Sequence, residues 1–190
     1  MNMNKSIFTL FFVLLSQLLL LSSCESSKPR EVVIDNKFKM QLPGYVSDQK
    51  RLNEEASLMY ANLLREVYVM VIEDSFEEMN NAIIENDLVD DYSLDFDGFC
   101  KLVANNETDA FLVKDDISKL KSTTINRMSS RFYEGTRNIT GADIYYKIAL
   151  VKGKETYYQV VAWTLASRAD RYGEVLGEMI YSFEELNAQD

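Results

Sequence analysis

The residues best suited to chemistry are carboxylates, and they cluster. Asp91, Ser93, Asp95 and Asp97 precede Gly98, a density of oxygen donors of the kind that Ca²⁺ takes up in a loop. The register fails. With Gly98 at the sixth position of such a loop, Ser93 stands first and Ala104 twelfth, where a bidentate Glu is needed. The acids at 95 and 97 read instead as a helix N-terminus, where carboxylates meet the positive end of the dipole. Glu73-Asp74 and Glu77-Glu78 bring carboxylates near enough for a general acid and base, if one sits where its pKa is raised. Their place at a strand end and a helix start makes capping and solvation the simpler account. The chain has no His, which removes Ser–His and Cys–His nucleophiles and imidazole ligands together. Two Cys cannot build a Cys-rich zinc site. Cys100, between Phe99 and Lys101, falls on an apolar stripe and reads as a small buried hydrophobe. These residues predict no catalytic set, no metal and no cofactor.

The remaining candidates are aromatic and basic. Seven of the 11 Tyr lie between residues 133 and 181. The pairs Tyr145-Tyr146 and Tyr157-Tyr158 put one ring on each face of a sheet. Most such rings belong to a core, with hydroxyls reaching its rim. Where a face is left uncovered, Tyr133, Tyr145 and Tyr157 with Arg127 and Arg131 form a candidate surface for a protein or glycan partner. Asn106-Glu107-Thr108 and Asn138-Ile139-Thr140 match the N-glycosylation pattern, one short enough to arise by chance.

Charge is unevenly spread. Residues 73–116 hold 14 acids and 2 bases, whereas residues 117–172 hold 4 acids and 10 bases. Solvated helices beside a partly basic sheet account for this; a dipolar surface that steers a partner is the functional alternative. The net charge of −10 argues against nucleic acid, whose affinity depends on neutralising phosphates.

The elements that must position these groups are legible in the patterning. Residues 37–42 alternate polar and apolar and stop at Pro43-Gly44. Ser57 to Asn62 gives a second strand. Residues 66–72 are β-branched or aromatic on both faces, as in a central strand. Ser75 with Glu78 forms a capping box before a helix, and Ser93 starts another carrying Phe96, Phe99, Cys100 and Val103. Residues 120–134 return to strand composition. Ile144 to Leu150, the Lys152-Gly153 turn and residues 156–164 make a strong hairpin. Ser167 and Asp170 have capping-box spacing for a closing helix, whose stripe is Tyr172, Val175, Leu176, Met179, Ile180 and Phe183. With Trp163, that stripe is expected to form the central core. The order of elements predicts an α+β domain with a mainly antiparallel sheet covered by helices.

The front of the chain is different. Lys5 is the only charge before residue 24, and Ile7 to Leu21 is a largely apolar run, the pattern of a secretory signal peptide. It ends Leu21-Ser22-Ser23-Cys24. That tetrad resembles the lipobox of bacterial lipoproteins. The resemblance implies acylation at Cys24, cleavage before it, and a stable membrane anchor. Residues 1–23 are then the signal peptide, 24–31 a lipidated Cys and polar tether, and 32–190 one domain. Cys100 becomes the lone thiol, so no internal disulfide can form.

Residues 157–164 (Tyr-Tyr-Gln-Val-Val-Ala-Trp-Thr), followed by a helix ending Met179-Ile180-Tyr181-Ser182-Phe183, resemble the end of PsbP-like domains, including the DcrB-type bacterial lipoproteins. Phe38 to Tyr45 resembles their opening strand and Leu-Pro turn. The resemblance implies an α/β/α sandwich and carries over no catalytic residue. The expected function is a non-catalytic envelope lipoprotein, anchored at the outer membrane, that binds or steadies a protein partner. The alternatives are a small-ligand or cation-binding lipoprotein and a carboxylate-dependent hydrolase.

Overall fold

The computed structural model describes residues 28–105 and 119–186. The signal-peptide segment, Cys24 and the first tether residues lie outside the described residues, as does the Asn106 motif.

Two antiparallel sheets organise the domain. The larger has seven strands in the order β3-β4-β5-β9-β8-β7-β6. These are β3 (Ser47–Asp48), β4 (Leu58–Asn62), β5 (Val67–Ser75), β6 (Lys121–Ile125), β7 (Met128–Ile139), β8 (Ala142–Lys152) and β9 (Thr156–Leu165). The smaller has the order β1-β2-β10, with β1 (Pro29–Ile34), β2 (Phe38–Pro43) and β10 (Glu184–Glu185). Every strand pair is antiparallel. The start of β5 is buried on both faces, as its unbroken apolar run requires. Residues 29–31, expected as part of a tether, are strand. Pro29, Arg30 and Glu31 pair with Pro43, Leu42 and Gln41, so they belong to the sheet.

Three helices follow the sequence signals with two local differences. In α1 (Phe76–Glu85) the Ser75 side chain accepts from the Glu78 backbone N–H, the first half of the expected capping box, and donates to the Glu78 carboxylate through its hydroxyl. In α2 (Phe96–Asn105) the capping oxygen belongs to Asp95, which accepts from Gly98 N–H at 3.0 Å, rather than to Ser93. In α3 (Ala169–Tyr181) the Ser167/Asp170 box does not form. A 3₁₀ turn, Ala166–Arg168, precedes the helix, and its N-cap Arg168 offers no side-chain acceptor.

The large sheet carries a core on each face. On one face Tyr158, Val160 and Ala162 of β9 meet Leu176, Met179 and Ile180 of α3, Phe183, and Phe38, Met40 and Leu42 of β2. On the other, Tyr157 and Val161 meet Met79 and Ile83 of α1 and Phe96, Phe99 and Cys100 of α2. The domain is therefore α+β and layered: α3 with the small sheet, the large sheet, then α1 and α2. Trp163 corrects one expectation. It packs with the α1/α2 face, so the α3 stripe forms its core without it. Val175 is only half-buried. Among the described residues, no helix is long and apolar enough to cross a membrane.

Candidate functional site

Five of the seven carboxylates suited to chemistry are held in structural bonds. Lys37 Nζ lies 3.2 Å from Glu73. Asp74 accepts from the Gln159 amide at 3.1 Å, and burial pushes its pKa up. Glu78 serves the α1 cap. Asp95 accepts from Ser93 Oγ at 2.6 Å and from Gly98 N–H. The Ser93 bond, followed by the backbone N–H, holds its carboxyl below the usual range. Asp97 pairs with Arg131 at 3.0 Å. Gly98 is needed for a structural reason: a Cβ there would overlap the Ser93 carbonyl. No group of three or more potential metal ligands gathers among the described residues. Burial pushes the Cys100 thiol up to about 12, so it stays protonated and weakly reactive at neutral pH.

The five residues expected to form one partner surface are divided. Tyr157 is 3% exposed and packs against Phe76, Phe96 and Phe99. It is a core ring, because α1 and α2 cover its side of β9. Tyr145 is half-buried on the opposite face, against the α3 core. Its hydroxyl donates to Glu134 at 3.0 Å, and burial with the Glu134 carboxylate pushes its pKa up to about 12. Glu134 also pairs with Lys147 at 3.1 Å.

Arg131 and Tyr133 alternate on β7 and share the α1/α2 face. The Arg131 guanidinium lies over the Phe96 ring at 5.5 Å, and Tyr133 packs with Tyr146 at 5.8 Å. Arg127 is exposed in the β6–β7 turn, in the left-handed region at φ 70°. Arg127, Arg131 and Tyr133 thus lie along the β6–β7 margin of the sheet, while Tyr145 and Tyr157 do not join them.

A second feature has no counterpart in the sequence expectations. The β4–β5 hairpin carries Leu63 and Leu64 at 54% and 91% exposure. Consecutive leucines beside a turn were its only signal. The hairpin is braced. Arg168 donates to the Leu64 and Arg65 carbonyls at 3.2 and 2.9 Å and pairs with Glu66 at 3.2 Å. Arg65 N–H donates to Asn62 Oδ1 at 2.8 Å, and its guanidinium stacks over Tyr45 at 4.2 Å. Charge divides along β5: Arg65 precedes one end, and Glu73 and Asp74 lie at the other, roughly 25 Å away at strand rise.

No protein-family model matches the chain, and no curated protein does. Solved structures do. The solution structure of cyanobacterial PsbP (CyanoP) from Synechocystis sp. PCC 6803 superposes with a TM-score of 0.50 at 11% identity, covering 87% of this chain and 99% of that one. The fold is PsbP-like. A crystal structure of a protein from Bacteroides thetaiotaomicron VPI-5482 gives a TM-score of 0.51 at 9% identity, covering 87% of this chain. The present chain spans about half of that one, 51%. At these identities the likeness extends to the fold alone, and it agrees with the resemblance seen in residues 38–45 and 157–183.

Proposed function

We propose that this is a lipid-anchored, non-catalytic protein of the bacterial cell envelope, at the outer membrane, that serves as an accessory to a protein partner. The observation that carries the reading is the employment of five of the seven candidate carboxylates. Glu73, Asp74, Glu78, Asp95 and Asp97 are each tied to a cap, an amide or a cation. A general acid and base need carboxylates free to face a substrate. The anchor rests on Leu21-Ser22-Ser23-Cys24.

The partner surface is the β6–β7 margin with Arg127, Arg131 and Tyr133. Arg and Tyr are the residue types that carry most binding energy at protein interfaces. Intact-mass analysis of membrane-purified protein tests the anchor: acylated Cys24 at the N-terminus is expected, and an unmodified Cys24 overturns it. A photoreactive residue at Arg127 or Tyr133, introduced in living cells, tests the surface. One discrete protein adduct is expected there and none from Leu52. Equal labelling from both places overturns the partner reading.

A further inference from the structure

We infer that the braced β4–β5 hairpin is a membrane-contact element: Leu63 and Leu64 dip into an anionic phospholipid surface while the arginines around them hold its headgroups. The inference rests on the lipid anchor proposed at Cys24, and it assigns which end of the domain faces the bilayer.

The first reason is position. The described chain begins at Lys28, whose carbonyl accepts from Gly44 N–H at 3.0 Å. The next residue, Tyr45, gives its carbonyl to the Asn62 amide at 2.7 Å and its ring to Arg65. Asn62 and Arg65 flank the two leucines. The entry of the chain and the hairpin tip are therefore at the same end of the sandwich. Only four residue steps separate Cys24 from Lys28, a reach of at most about 14 Å. An acylated Cys24 would hold this end, and no other, against the lipid.

The second reason is composition. Among the described residues Leu64 is the most exposed large apolar one at 91%, with Leu63 beside it at 54%. Neither is needed to close the turn, which Arg168, Asn62 and Tyr45 already fix. A braced loop that displays two leucines loses little freedom when it inserts.

The third reason is charge. Arg30 donates to the Val46 carbonyl at 3.1 Å, which places it, like Arg65 and Arg168, at this end. Arg171 lies close enough to Tyr45 to influence its hydroxyl. Lys28 adds a further cation. The acids here include Glu66, already paired with Arg168, Asp48, opposite Tyr60 on β4, Asp143 and Asp170, fewer than the cations. The denser acidic groups, Glu73, Asp74 and Glu78, sit at the far end of β5. An anionic bilayer attracts the first end and repels the second, so the domain stands with its acidic end outward.

The chain has one Trp, which makes depth measurable. In a Trp163→Phe background, Leu64→Trp and Leu52→Trp place the only indole at the hairpin tip or in the β3–β4 connection at the opposite end of β4. Each full-length protein, purified from membranes, is reconstituted in vesicles of phosphatidylglycerol and phosphatidylethanolamine with brominated acyl chains. The expected result is a blue shift and loss of most emission for Leu64→Trp, with Leu52→Trp unchanged. The loss should be smaller in vesicles of phosphatidylcholine alone. Water-like emission from Leu64→Trp overturns the inference and leaves the hairpin to a protein contact. Equal quenching at both positions also overturns it, because the whole domain would then lie on the lipid. Intact mass at Cys24 on the same samples judges the anchor separately. A quenched tip on an unmodified chain keeps the hairpin and removes the anchor; an aqueous tip on an acylated chain does the reverse.

Discussion

The rings of Tyr68 and Trp163 stack, 5.1 Å between centroids and with their planes 4° from parallel. The two are register partners on β5 and β9, and both pack on the face opposite α3. Phe183 belongs to the other face, fully buried against Phe38 and Tyr158 at 5.3 and 4.9 Å. Phe183→Ala is expected to cost about 3–5 kcal/mol. Trp163→Ala should cost less, about 1–3 kcal/mol, because its ring is only half-buried. Urea melts of the chain from Ser26 onward measure both; equal losses would contradict the two-faced core.

Gly98 gives a second expectation. Gly98→Ala forces a methyl onto the Ser93 carbonyl and should destabilise by about 1–3 kcal/mol. Asp95→Ala removes the α2 cap, at about 0.5–2 kcal/mol. Adding Ca²⁺ should leave the melts of the wild type and both variants unmoved. A saturable rise in melting temperature that Asp95→Ala abolishes would restore the calcium reading.

Cys100 sets an alkaline limit. Its thiol moves from an ordinary 9.0 to about 12 in the fold. A folded-state value above the unfolded one means the native state holds its proton longer. The stabilisation is complete below pH 9 and is lost as pH climbs from 9 toward 12, by about 1.4 kcal/mol per pH unit. Urea midpoints should fall over that window, and Cys100→Ala should flatten the decline. At pH 8 a thiol reagent should label Cys100 only after unfolding; rapid native labelling would refute its burial.

Asp74 should behave in the opposite way to a stabilising carboxylate. Burial raises its pKa, and the nearby Glu78 charge adds to the effect. Its ionised form is thus disfavoured in the fold, and protonation as pH falls relieves that cost. Asp74→Asn keeps an oxygen for the Gln159 amide and removes the charge. At pH 7 the variant should be as stable as wild type or more so, with the difference shrinking toward pH 3. A clear loss at pH 7 would show that the charge itself is needed.

Much of the frame was legible because strand alternation and helix capping are local. Ser75 caps α1 and bonds Glu78 at the expected spacing, and β8 and β9 pair across the expected turn. The errors are also local in origin. Trp163 lies five residues after Tyr158, and an odd spacing on a strand sends two side chains to opposite faces. Parity alone places Trp163 away from α3. The same parity separates Tyr145 from Arg131 and Tyr133, given the β7–β8 register. That register is long-range and cannot be read from spacing. Nor could the burial of Tyr157, which depends on where α1 and α2 come to rest. Pro29-Arg30-Glu31 looks like linker because β1 is an exposed edge, and edges tolerate Pro and charge.

The small sheet has a consequence for the order in which the molecule can be assembled. β2 is flanked by β1, its neighbour in the chain, and by β10, more than 140 residues later. Phe183, immediately before β10, fills the space between β2 and β9. Pairing at such sequence separation is slow to form. While a ribosome is still making this chain, the layer over α3's face is unfinished, and it is completed only by residues 183–186. Until those residues have emerged, the edge of β2 that β10 covers stays open, and the space that Phe183 fills beside Phe38 and Tyr158 stays empty.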